Sequence, residues 1–231
     1  MPRIYISPSS QSGNIGVSPY TNEAREMNKI ADQLVPLLNK DGRFFVGRNS
    51  PDMSVHQMAD DSNAFKADLH LALHSNAGGG VGTEVFAYGP GTNSERLAKC
   101  LYNQIAPLSP GADRGVKYNK GLVEVGDMVN ATSALIELAF HDNATDAAWL
   151  ANSAVVIAQG LYKGVCDYFG YNYKVVTIPP PVAPPAAPAA IKKIIAPDDI
   201  YLSVRVRESL ADQAIRDINK LGFAAKRLDL A

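Results

Sequence analysis

Hydrophobic and polar positions alternate between two periods along residues 1–170, and the alternation predicts strands separated by helices. Arg3–Ser7 reads as a short strand. Across Asn22–Asn39, Met27, Ile30, Ala31, Leu34, Leu37 and Leu38 recur at helical spacing, with Pro36 expected to kink or shorten the last turn. Arg43–Gly47 reads as a strand and His56–Phe65 as a helix. Leu69–His74 and Gly82–Tyr88 read as strands, Ser94–Ala106 as a helix, Ala134–Ala139 as a buried strand and Asp146–Phe169 as one long helix. The fold class this implies is α/β: a mostly parallel sheet with helices on both faces.

The pattern then stops. Ile178–Ala190 is almost entirely proline and alanine and suits an extended spacer. Beyond it, Ile200–Val206 alternates like a strand, Leu210, Ala214, Ile218 and Leu221 form one helical stripe, Gly222 ends it, and Phe223–Leu228 alternates again. Three parts follow: an α/β domain over 1–172, a Pro/Ala-rich linker over 173–197 and a small βαβ unit over 198–231. A unit of that size is marginal alone. It is expected to bind cell wall, to dock, or to pair with a second copy as a homodimer.

Composition narrows the function classes. The 231 residues are 46% apolar and 19% charged, with a net charge of -1, which offers no electrostatic ground for binding nucleic acid or an anionic membrane. No run of about 18 apolar residues suits a membrane span. No signal-peptide core precedes the first strand, so synthesis and retention in a cytoplasm, or release by another route, is expected. Cys100 and Cys166 lie far apart within predicted helices and read as small buried apolar residues.

The richest stretch is Ala67-Asp-Leu-His-Leu-Ala-Leu-His-Ser-Asn-Ala77, followed by Gly82-Thr-Glu-Val-Phe86. Leu69, Leu71 and Leu73 share one strand face; His70, Ala72 and His74 share the other. His74 falls at the strand's C-terminal end, where open α/β sheets place ligands, and an imidazole there suits a metal or a structural role. Glu137 interrupts an apolar strand, so it either sits in an ion pair or faces a cleft; the polar His141-Asp-Asn143 turn that follows favours the cleft. Glu23 in a first helical turn is equally an ordinary dipole partner or a ligand. Ser7–Gly16 is a polar loop after the first strand, carrying Gln11 and Asn14. No His-Glu-x-x-His helix and no phosphate-binding Gly-x-x-x-x-Gly-Lys loop occurs.

Together these segments resemble the zinc-dependent N-acetylmuramoyl-L-alanine amidases of the type 3 amidase family. The likeness covers about residues 2–170. His74-Ser-Asn-Ala77 with Gly82–Phe86 looks like the family's strand-end histidine motif, Glu23 like its metal-binding glutamate, Leu135–Phe140 like the strand of its catalytic glutamate, and Arg114-Gly-Val116 like the segment before it. The resemblance implies a peptidoglycan hydrolase that cleaves the bond between N-acetylmuramic acid and L-alanine. Zn2+ would be held by Glu23 and His74, with Glu137 as acid/base. Asn76, Arg114, Gln11 and Asn14 are the candidate substrate contacts, and Gly78–Gly80 either borders the stem-peptide groove or is a plain connection.

One departure stands out. The family follows its first strand with a histidine, whereas Ser7-Pro-Ser-Ser-Gln11 occupies that place here and no histidine precedes His56. Catalytic zinc usually takes three protein ligands and an open position. His141 is the expected third ligand, or else it hydrogen-bonds the substrate carbonyl or orients Glu137; Gln11 or Asn14 is a weaker alternative. A decayed site on a glycan-binding protein is the competing reading. His70, roughly 13 Å down the strand from His74, reads as a core residue or one that supports the site from behind, and His56 as a surface residue. Linker, terminal unit and amidase-like domain together match a phage-endolysin layout, with a bacterial autolysin or spore hydrolase as the near variant.

Overall fold

The computed structural model describes residues 1–111 and 114–174; the expected linker and βαβ unit lie outside the described residues. Six strands, β1 (Arg3–Pro8), β2 (Phe45–Arg48), β3 (Leu69–Asn76), β4 (Glu84–Ala87), β5 (Val116–Tyr118) and β6 (Thr132–Phe140), form one sheet in the order β2-β1-β3-β6-β4-β5. β1, β2, β3 and β6 run parallel. β4 runs antiparallel to β6, and β5 follows β4. The sheet is therefore mostly parallel, as its pattern implies, with a reversed pair at one side.

Helices α1 (Glu23–Asp41), α3 (Asn93–Ile105) and α5 (Ala154–Phe169) cover one face. The main core lies there: Ile4 and Ile6 of β1, Leu69, Leu71 and Leu73 of β3, and Ala134, Ile136 and Leu138 of β6 meet the α1 stripe Met27, Ile30, Leu34 and Leu38. Asn22 caps α1 by accepting from the Arg25 N–H at 2.9 Å, and Gly42, at φ 78°, closes its other end. The helix runs through Pro36 to Asp41 without a break. The expected single helix over Asp146–Phe169 is two, α4 (Ala144–Asn152) and α5, parted at Ser153.

The other face carries the chemistry. Tyr5, Ser7, His70, Ala72, His74, Glu137 and Glu84 project there by strand parity. Helix α2 (Val55–Ala64) is attached on this side, where the Tyr5 hydroxyl donates to Asp61. The segment 119–130 also crosses it, and Val125 packs on Ala72 and Leu135 in a small second cluster. The C-terminal ends of β1, β3 and β6 and the N-terminal end of β4 meet at one edge, because Glu84 and Glu137 are register partners and so are His74 and Glu137. Of the two cysteines, Cys166 is buried and Cys100 is half-buried, both free thiols packed on the main core.

Candidate active site

His74 is the hub of this edge. Its Nδ1 lies 2.8 Å from Glu23 Oε1 and its Nε2 lies 3.1 Å from Glu124 Oε2, with all three residues buried. Strand β3 delivers the imidazole from below, and α1 delivers Glu23 from its first residue. Glu23 is secured in turn: Asn14 Nδ2 donates to its Oε2 at 2.6 Å and the Ser75 N–H donates to Oε1 at 3.4 Å. Burial pushes the Glu23 carboxyl up, but the bonds from His74, Asn14 and Ser9 more than reverse this and hold it below the ordinary range. Burial likewise works against a charged His74, yet the carboxylates of Glu124 and Glu23 hold it well above the ordinary histidine value.

Glu124 comes from the segment between β5 and β6 and has no counterpart among the residues singled out in the sequence. Its Oε1 accepts from the Ser7 hydroxyl and sits 3.1 Å from His70 Nε2, while its Oε2 faces His74. Burial would raise its carboxyl; bonds from His70 and His74 hold it well below the usual range instead.

Glu137 behaves differently. Its Oε2 is shut off from solvent and has no hydrogen-bond partner. Burial pushes the carboxyl up to about 7; His74 pulls against that, and the nearby charges of Glu23 and Glu84 reinforce it. Glu84, its neighbour on β4, accepts from Asn76 Nδ2 at 2.8 Å and from Arg114 Nε at 2.6 Å, and pairs with Lys117. Asn76 and Arg114 thus belong to the edge through Glu84. Arg114 also lies over the Phe140 ring at 4.8 Å. Gln11 is exposed and accepts from Asn14 at 2.9 Å, so it supports Glu23 at one remove. The glycine loop after β3 is stapled by aspartates: Asp142 accepts from the N–H groups of Gly78 and Gly79, and Asp146 accepts from that of Gly82.

His141 is not brought to Glu23 and His74. Its Nδ1 meets Ser75 Oγ at 3.0 Å, and its ring stacks on Tyr20 at 5.5 Å. Neighbouring side chains leave a strand on opposite faces, so a partner of Ser75 stands across β3 from His74. The expected ligand trio of Glu23, His74 and His141 is therefore not assembled. Among the described residues no group of three or more His, Cys, Asp or Glu is arranged to hold a metal ion. After β1, Ser9 and Ser10 stand where an imidazole was expected; Ser9 is buried and accepts from the Gln11 N–H. The described residues therefore do not assemble the three-donor shell of a catalytic zinc.

A sheet edge that gathers imidazoles and several buried carboxylates defines the protein as an α/β domain with a candidate hydrolytic centre. The comparisons with known proteins make that class specific. A model of the N-acetylmuramoyl-L-alanine amidase family matches residues 8–167. The chain belongs to this family, the type 3 amidases. N-acetylmuramoyl-L-alanine amidase CwlM of Bacillus licheniformis is 28% identical over 182 residues, which is 74% of this chain and 70% of the relative. The catalytic domain of CwlV from Bacillus (Paenibacillus) polymyxa var. colistinus shares the fold at TM-score 0.67 and 22% identity, over 74% of this chain and 100% of that one. An N-acetylmuramoyl-L-alanine amidase from Clostridium difficile 630 does so at TM-score 0.65 and 23% identity, over 73% and 97%.

Proposed function

We propose that the chain hydrolyses the amide joining the lactyl group of N-acetylmuramic acid to L-alanine in peptidoglycan, with Glu137 as general acid/base. The observation that carries this reading is the buried, partnerless Oε2 of the half-buried Glu137, beside the His74–Glu23 contact in a chain of an amidase family. A carboxyl raised to about 7 is poised for proton transfer near neutral pH. As carboxylate it takes a proton from the attacking water; as acid it returns that proton to the departing nitrogen of L-alanine. Asn76 and Arg114, held by Glu84, flank the reacting amide and orient the stem peptide. Asn14 and Gln11 keep Glu23 against His74.

Zinc is the cofactor the family resemblance implies. Glu23 and His74 are the protein donors this chain offers it, and no step above runs through the metal. That two-donor set favours one second reading, a peptidoglycan-binding protein on an amidase fold without turnover. Incubation of the purified protein with cell wall separates the two. The amidase reading expects new L-alanine amino termini in step with solubilised wall and no new reducing sugar. Binding without new termini supports the second reading. Action on the wall, with residues 198–231 as a wall-binding or dimerising module in an endolysin-like layout, completes the proposal.

A further inference from the structure

We propose that Glu124 is the positioning residue that sets the direction of His74, committing its Nε2 to the sheet face and its Nδ1 to Glu23. Glu124 is buried, and both of its oxygens point at side chains of β1 and β3. A carboxylate accepts only, so the nitrogen facing it must carry the proton. At 3.1 Å from Glu124 Oε2, Nε2 of His74 is that nitrogen. Nδ1, 2.8 Å from Glu23 Oε1, faces a carboxylate in the same way and carries the other proton, so the two carboxylates fix the ring's direction from opposite sides. A ring turned over about its Cβ–Cγ bond would leave the buried Glu124 Oε2 without this partner.

The arrangement is more than a single contact. His70 Nε2 and the Ser7 hydroxyl occupy the other oxygen, so the carboxylate cannot swing away from His74 without giving up both. Tyr5 stacks on His70 at 5.4 Å and fixes that ring too. Carboxylates behind functional imidazoles set ring orientation in this way, and their loss typically costs about 10–100-fold in activity or affinity.

The competing role is purely structural: Glu124 would only pin the segment 119–130 to the sheet. Val125, next in the chain, does that by packing on Ala72 and Leu135. The two roles separate when Glu124→Met is compared with Val125→Ala at matched loss of stability in urea. The inference rests on the amidase reading for its kinetic arm. There, Glu124→Met should lower kcat about 10–100-fold with KM changed by less than about threefold. Glu124→Gln, which keeps one acceptor oxygen, should recover part of the loss, and Val125→Ala should stay within about twofold of the parent kcat. The second arm is 15N NMR of the imidazole, which needs no turnover: a protected Nε2 proton on His74 beside its Nδ1 proton in the parent, and loss of the Nε2 protection in Glu124→Met. Equal kcat in the Met and Val125 variants, with an unchanged Nε2 proton signal, would overturn the proposal. If the parent releases no L-alanine termini, the amidase reading fails and the NMR arm alone decides. Should Glu124→Met not fold, Glu124→Gln carries the same comparison, because its single oxygen serves only one of the two histidines.

Discussion

Glu84 and Glu137 face each other across the β4–β6 ladder, and only one of them is neutralised. Glu84 has Asn76, Arg114 and Lys117; Glu137 Oε2 has no partner. Two carboxyls side by side disfavour a second negative charge, so the unpaired one keeps its proton to higher pH. Burial, reinforced by the charges of Glu23 and Glu84, makes Glu137 the group that titrates near neutrality, at about 7.

The acidic limb of kcat/KM should therefore fall near pH 7, activity rising as Glu137 ionises. Glu84→Gln removes one of the charges that raise Glu137 and frees two cations beside it. Its profile, normalised to its own plateau, should move to lower pH, with a gain of no more than about tenfold at pH 6. An unmoved limb would separate Glu84 from the titration.

Stability should show the same group with the opposite sign. The folded value of about 7 lies above the ordinary 4.5, so between those values the native state holds more protons than the unfolded chain. The contribution is fully present below pH 4.5 and lost as pH rises through 7. Glu137→Gln should accordingly be more stable than the parent at pH 8, by about 1–3 kcal/mol, and similar to it at pH 4. Urea unfolding at the two pH values checks this.

Asp41 gives a control far from the site. Arg43 holds its carboxyl down to about 2, by two bonds of 2.6 Å, and the Tyr162 hydroxyl adds a third. A lowered carboxyl stabilises above its unfolded value of 3.8 and loses that contribution as pH falls through 2. Asp41→Asn should cost about 1–3 kcal/mol at pH 7 and little near pH 2, with kcat unchanged. Thermal unfolding across that range is the measurement.

The loop that carries Asn14 to Glu23 is seated through Gly16. A Cβ there would lie 2.3 Å from the Tyr20 ring and 2.7 Å from the His141 carbonyl oxygen, whereas one at Gly13 meets nothing within 4 Å. Gly16→Ala should destabilise by about 1–3 kcal/mol and depress kcat, while Gly13→Ala should do neither. Parallel assays and melting curves of the two variants test the assignment.

Much of this was legible in the residues. The parity of Leu69–His74 placed His74 and His70 on the face opposite the main core, and the stripe from Met27 to Leu38 marked α1 correctly. Glu137 stood out because a carboxylate inside an apolar strand needs a reason. Glu124 did not stand out, since residues 119–130 follow no regular helical or strand period and its histidine partners lie 50 and 54 residues away on β3. His141 shows the limit in another form: nearness to a strand end places a residue at an edge but not on a face. Hydrophobic pattern also leaves strand direction open, which is why the reversed β4 and the three-residue β5 emerged only in three dimensions. Pro36 was tolerated because the rest of α1 is held by its buried stripe, so one missing N–H did not end the helix.

The most direct test of the account is the rate at which parent and Glu137→Gln proteins release new L-alanine amino termini from purified peptidoglycan at neutral pH. The account predicts turnover in the parent and a loss of about 10²–10⁴-fold in the variant, with the fold intact by circular dichroism. Equal release by the two proteins would contradict it.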